Sequence, residues 1–194
     1  MQEFLFYTKL GLEHVLDFSA YDHILFLAAL ALPFTFKNWK NVLLLATVFT
    51  IAHCTSLVFS VYEVVVFDVS FIEFLIPVTI FITAVFNLFY TNTIKKEQSI
   101  LLHLIATAFF GLIHGFGFSN YFKMLLSGEE EKVSPLLGFA LGIELSQLII
   151  VITILLIALI MQDKLKVKQQ NFVVVGSIII LLITIPMLIN TFPW

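Results

Sequence analysis

Six long apolar stretches, separated by short polar joints, run through almost the whole chain. A stretch of roughly 20 apolar residues is long enough to cross a bilayer as a helix. The sequence therefore predicts an all-α integral membrane protein, a bundle of about six transmembrane helices in one domain that covers residues 1–194. The predicted spans are residues 21–36, 41–62, 69–90, 99–122, 135–161 and 172–192.

The composition agrees with a chain that is embedded in lipid. It is 60% hydrophobic and 12% charged, whereas soluble domains have roughly 45–50% apolar and about 25% charged residues. We therefore expect the lipid bilayer as a partner. There is no arginine to bind phosphate in a bidentate manner, so we expect no nucleic acid as a partner. Cys54 is the single cysteine, which excludes an intrachain disulfide and a cysteine-rich metal knuckle. The sequence does not choose between a monomer and a homo-oligomer.

Residues 1–20 differ from the six stretches, because charged residues such as Glu3, Lys9 and Asp17 alternate with leucine and phenylalanine. This segment is too polar for a span and too apolar for a free tail. We interpret it as an N-terminal amphipathic segment that lies at the membrane surface.

The distribution of lysines predicts the orientation of the chain, because lysines accumulate in cytoplasmic loops. Seven lysines fall in the loops of one face and three in those of the other. The seven-lysine face is therefore predicted to be cytoplasmic, in the inner (plasma) membrane, with both termini outside. The seven are Lys37, Lys40, Lys95, Lys96, Lys164, Lys166 and Lys168.

Ionisable side chains inside spans are costly and therefore mark functional sites. Five predicted helices each place a histidine or carboxylate in their outer half. Imidazole and carboxylate ligands suit zinc, nickel, cobalt or iron(II). The sequence thus predicts a site for a divalent transition metal (nickel, cobalt or zinc). Its predicted ligands are His23, His53, His114, Asp22 and Glu144.

Further polar residues are predicted to support these ligands or to line the approach to them. They are His14, Ser56, Glu73 and Gln147. Ser56 and Gln147 each lie three residues from a predicted ligand and so share its helix face. The alternatives are a structural hydrogen-bonding role for each histidine, an N-cap role for Asp22, and simple solvation for Glu73.

Several ordered blocks give the chain a resemblance to a known family. They are Gly11–Asp17, Tyr21–Phe26, Phe49–His53, Glu73–Pro77 with Asn87, Gly111–Phe118 and Gly142–Gln147. With these blocks the chain resembles the HupE/UreJ family (second subfamily), membrane proteins associated with hydrogenase and urease maturation. The resemblance implies a nickel or cobalt permease, with the family's Asp-His pair at Asp22 and His23 and its His-Gly pair at His114 and Gly115. A second His-Gly pair of those members corresponds here to Phe118.

Two functions remain open at this point. A divalent metal permease would bind the ion from outside and release it inward, past an inner path formed by Asn87, His103, Thr107 and Thr153. The alternative is an intramembrane zinc-dependent hydrolase or a metal-bearing scaffold. In the hydrolase, Asp22 or Glu144 would be the general base and Ser56 an accessory donor. A polar route through the inner half of the bundle would favour transport.

Overall fold

The computed structural model describes residues 2–90, 100–129 and 131–193, with only the backbone of Tyr90 and Leu102. Over these ranges the chain is all-helical, with seven α-helices. They are α1 (Gln2–Leu16), α2 (Asp22–Ala31), α3 (Trp39–Val61), α4 (Val69–Tyr90), α5 (Ile100–Leu125), α6 (Val133–Asp163) and α7 (Gln169–Asn190). The predicted cytoplasmic lysines Lys95 and Lys96 lie outside the described residues, as does Ser99, where the fourth span is predicted to begin.

Four of the described helices are long and apolar enough to cross a membrane. They comprise Phe36–Val61, Val69–Phe89, Val133–Asp163 and Gln169–Asn190. Helix α5 has 26 residues, and α2 has only 10, which extends about 15 Å and covers half a bilayer. The predicted count of six spans therefore stays a prediction, although α3 to α7 follow the predicted boundaries closely.

Helix α1 packs along α6 through a face on which every fourth residue is buried. Tyr7, Gly11 and Val15 form this face. On α6, Gly142 lies so close to the backbone of α1 that a Cβ at this position would overlap the carbonyl oxygen of Thr8. Glycine permits this approach because it has no Cβ. The position of α1 at the membrane surface stays a prediction, but its packing sets His14 against the bundle.

Helices α3 and α5 form the other close pair of the bundle. Large side chains such as Phe26, Phe49, Phe122 and Phe139 are fully buried around them. At one end of the pair, Lys123 on α5 donates a hydrogen bond to Glu63 in the loop after α3. This hydrogen bond and the charge of Lys123 lower the pKa of the Glu63 carboxyl below its ordinary value.

Helix α2 ends inside the bundle, and side chains from other helices pair its last carbonyls. Asn87 Nδ2 donates to Ala29 O at 2.7 Å, and Gln169 Nε2 donates to Leu32 O at 2.9 Å. These bonds satisfy backbone acceptors that would otherwise be unpaired in an apolar region. The helix can therefore end before Pro33, which has no N–H to continue it, and α2 is a half-length helix.

Candidate metal centre

Four helices bring four imidazole rings together. His14 comes from α1, His23 from α2, His53 from α3 and His114 from α5. The His23 ring centroid lies 4.6 Å from that of His14, 5.7 Å from that of His53 and 5.1 Å from that of His114. His23, His53 and His114 are 2%, 0% and 1% exposed. The four imidazoles thus form one cluster with His23 at its centre, in which His14 is half-buried and the other three rings are buried.

Two sets of side chains in this cluster have the geometry of a metal site. One nitrogen each of His14, His23 and His53 lie within 4.8 Å of one another. A carboxylate oxygen of Asp22 and one nitrogen each of His23 and His114 also lie within 4.8 Å of one another. Two ligands of one ion, at bond lengths of about 2.0–2.1 Å, lie at most ~4.2 Å apart. Small side-chain rotations would therefore close either set around a cation.

The carboxylate of Asp22 orients the His23 ring. Asp22 Oδ1 accepts a hydrogen bond from the His23 backbone N at 2.9 Å and lies 3.2 Å from His23 Nδ1. Because an ionised carboxylate only accepts, Nδ1 carries the hydrogen and Nε2 keeps its lone pair. A carboxylate bonded to the second nitrogen of a histidine is the usual arrangement behind a metal-ligating imidazole.

Thr79 on α4 fixes His114 in the same way. The Thr79 hydroxyl donates its only hydrogen to Ile76 O at 2.7 Å, and its oxygen lies 3.2 Å from His114 Nε2. That oxygen can then only accept, so Nε2 of His114 carries the hydrogen and Nδ1 keeps its lone pair. His114 Nδ1 is buried and has no hydrogen-bond partner among the described residues, so it is available to a cation.

Five imidazole nitrogens of the cluster are buried without a hydrogen-bond partner in the described part of the chain. They are His14 Nε2, His23 Nε2, His53 Nδ1, His53 Nε2 and His114 Nδ1. A buried polar atom without a partner costs about 1–3 kcal/mol, and native proteins contain few of them. No hydrogen bond among the described residues satisfies these nitrogens, whereas one or two divalent cations would satisfy most of them.

Two residues predicted at the site lie elsewhere. Glu144, a predicted ligand, belongs to neither set; its carboxylate accepts hydrogen bonds from Thr47 Oγ1 at 2.7 Å and Thr50 Oγ1 at 2.6 Å. Gln147 Nε2 donates to the same Thr50 hydroxyl at 3.0 Å. The structure thus places both residues in a separate hydrogen-bonded group between α3 and α6.

The other two supporting residues have distinct positions. Ser56 donates to the backbone carbonyl of His53 at 2.7 Å, so its hydroxyl bonds the backbone of that histidine. Glu73 is exposed and, together with Asp22, lines an open cavity of about 250 Å³ near the start of α2. Two carboxylates at its wall make this cavity a suitable approach for a cation.

A second open cavity, of about 550 Å³, lies on the side of α1 and is lined by Glu13, His14 and Asp17. Phe118 also lines it, and its ring centroid is 3.9 Å from that of His14. The cluster can thus be reached along α1 as well as along α2, and both approaches carry acidic side chains.

The structure defines the positions of two residues better than the sequence does. The sequence predicts His14 in a supporting or approach position, whereas the structure includes it in a possible ligand set; its spacing of seven residues from Tyr7, on one helical face, is the signal that the sequence offers. The sequence gives no signal for Thr79, because a threonine in an apolar helix more commonly bonds its own backbone. Its contact with His114 depends on how α4 packs against α5.

We expect Thr79→Val to weaken metal binding about 10–100-fold, the usual effect of removing a group that orients a ligand. Valine keeps the shape but cannot accept the Nε2–H of His114. Competition with a chelating dye measures the affinity. Thr184→Val is the matched control, since Thr184 is also fully buried and donates to its own helix, at Ile180 O. Equal affinity in both variants would show that Thr79 has no orienting role.

Comparison with known proteins agrees with the motif blocks. The family described as HupE / UreJ protein matches residues 1–191, and the chain therefore belongs to this family. Searches of curated proteins and of solved structures each found no match.

Proposed function

We propose that this member of the HupE/UreJ family is a permease that carries a divalent transition metal ion across the inner membrane. The observation that carries the proposal is the set of five buried imidazole nitrogens without a partner among the described residues. His23, His53 and His114, with Asp22 and His14, would bind the ion from the outer side. In this proposal the metal is the transported substrate and not a resident cofactor.

The donor set narrows the class of ion. Neutral imidazole with one carboxylate suits nickel, cobalt and zinc, whereas magnesium and calcium prefer oxygen ligands. Copper(I) prefers thiolate and thioether ligands, and Cys54 belongs to neither ligand set. We therefore propose Ni²⁺, Co²⁺ or Zn²⁺ as the substrate.

Contacts of the candidate catalytic groups support transport over hydrolysis. The hydrolase would use Asp22 or Glu144 as its general base and Ser56 as an accessory donor at a metal-bound water. Instead, Ser56 bonds the His53 carbonyl and Glu144 accepts from two threonines. Asp22 Oδ1 is already bonded to the backbone N of His23 and lies beside its Nδ1. A cavity with polar side chains also lies in the other half of the bundle, where a permease needs a path and a hydrolase does not.

Metal analysis combined with uptake tests the proposal. Purified protein should retain close to one or two equivalents of Ni²⁺, Co²⁺ or Zn²⁺ after gel filtration, as elemental analysis would show. Liposomes that contain the protein and a metal-sensing dye should take up the same ion. Protein that binds the ion without uptake, but hydrolyses a lipid or peptide substrate, would support the hydrolase instead.

The proposed orientation has both termini outside, with the loop between α6 and α7 in the cytoplasm. In a Cys54→Ala background, Val64→Cys before α4 should react with a membrane-impermeant maleimide in intact cells. Leu165→Cys after α6 should react only after permeabilisation. The two positions are 66% and 63% exposed, so burial would not explain a difference. The reverse pattern would invert the proposed topology.

A further inference from the structure

The inner half of the bundle contains a cavity of about 150 Å³ between α2, α4 and α5. Its wall includes His103, which precedes His114 on α5 by 11 residues, or about 16 Å along the helix axis. The cavity therefore lies well below the histidine cluster, toward the proposed cytoplasmic face. Its polar lining residues are Thr83, Asn87, His103 and Thr107.

The cavity wall is mostly apolar, and its few polar groups present lone pairs that suit a cation. Thr107 is 1% exposed, and its Oγ1 has no hydrogen-bond partner among the residues that the structure describes. Thr83 donates its hydrogen to Thr79 O at 2.8 Å, so its oxygen presents lone pairs. The His103 imidazole adds a nitrogen ligand of the kind that the outer cluster uses.

The end of α2 adds an electrostatic contribution. Leu30, in the last turn of α2, and Pro33, just beyond it, line the cavity. The C-terminal end of a helix carries partial negative charge from its aligned peptide dipoles and favours cations nearby. The N-terminal end of the same helix carries Asp22 and His23 at the outer cluster. Half-length helices that end at ion sites are typical of transporters.

Polar side chains connect the two regions along α4 and α5. Thr79, Thr83 and Asn87 recur every four residues on α4, so they share one face. Thr79 contacts His114 at the outer end, and Asn87 lines the cavity at the inner end. The centroid of the Phe26 ring lies 5.2 Å from that of His114 and 5.8 Å from that of Phe110. These aromatic rings therefore narrow the path between the histidine cluster and the inner cavity in the present conformation.

We propose that the inner cavity is a second cation-binding station, which receives the metal ion from the histidine cluster before the ion is released to the cytoplasm. This inference rests on the proposed permease function. His103 and Thr107 are its ligands, and the C-terminal end of α2 supplies part of the stabilising field. Because His103 lies outside both outer ligand sets, its loss should slow transport without emptying the outer site.

The test compares uptake with outer-site binding in the same variants. His103→Gln and Thr107→Val should each reduce the initial rate of Co²⁺ uptake into dye-loaded liposomes about tenfold. Their Co²⁺ content after gel filtration should equal that of the wild type. Thr107→Ser, which keeps the hydroxyl, should retain most of the rate. Thermal unfolding of each variant shows whether it is folded.

Thr184→Val is the matched control, because Thr184 on α7 is buried like Thr107, lies outside the cavity wall and donates to Ile180 O of its own helix. Wild-type uptake by His103→Gln and Thr107→Val would overturn the inner station and leave the permease standing. Loss of Co²⁺ content in these variants would also overturn it, because the residues would then act on the outer cluster. Absence of uptake by the wild type would overturn the permease and the station together.

Discussion

Replacing His53 with leucine is expected to disable the ligand set of His14, His23 and His53, and so to lower the metal content, yet leave the metal-free protein at least as stable as the wild type. Both ring nitrogens of His53 are buried without a hydrogen-bond partner among the described residues. Each costs about 1–3 kcal/mol of desolvation, which leucine does not incur. Leucine also fills a similar volume, so the cavity term is small.

Metal should therefore stabilise the wild type more than the variant, which keeps only the set of Asp22, His23 and His114. A ligand that binds only the folded state adds about 2.7 kcal/mol at 100 times its Kd. Thermal unfolding with and without Co²⁺ should show this gain for the wild type and a smaller one for His53→Leu. If His53 had only a structural hydrogen-bonding role, His53→Leu would instead destabilise the metal-free protein.

Thr55→Val is the control for this experiment, since Thr55 lies two residues further along α3 and donates to Ile51 O of its own helix. It should keep both the metal content and the metal-induced gain in stability. A His53→Leu protein with full metal content would contradict the proposed outer site, whatever its stability.

The helices and part of the cluster could be predicted from the sequence, because both follow from local patterns. An apolar stretch bounded by polar joints defines α4 over Val69–Tyr90, which matches the predicted span residue for residue. Likewise, His23 and His114 could be placed at one depth by counting residues from the helix ends, and the structure sets their rings 5.1 Å apart.

What could not be predicted depends on how the helices rotate about their axes. The number of residues from the helix end places Glu144 at the depth of the histidines, but its side chain contacts Thr47 and Thr50. Counting residues gives the depth of a side chain and not the direction in which its helix face points. The predicted first span also extends to residue 36, because the apolar run continues past Ala31, where α2 ends. Pro33 is a local signal for this end, since it has no N–H to continue the helix. The partners of the carbonyls left over, Asn87 and Gln169, are distant in the sequence.

The second large effect is expected at Gly115, next to His114. A Cβ built at this position would overlap the Ser56 hydroxyl and the backbone carbonyl of His53. A backbone atom inside a helix cannot move aside as a side-chain end can, so Gly115→Ala must push α5 away from α3. We expect a loss of stability of roughly 2–3 kcal/mol and a loss of most bound metal, because His53 and His114 would separate.

Gly176→Ala on α7 is the matched control, since its Cβ would meet only the flexible end of Leu32, with Cδ2 at 2.7 Å. Leu32 can change rotamer, so this variant should keep its metal and nearly all of its stability. Adding Ser56→Gly to Gly115→Ala should recover part of the loss, because it removes one of the two overlapping atoms and leaves the His53 carbonyl. Full metal content and unchanged stability in Gly115→Ala alone would contradict the close packing of α3 on α5 that holds these two histidines together.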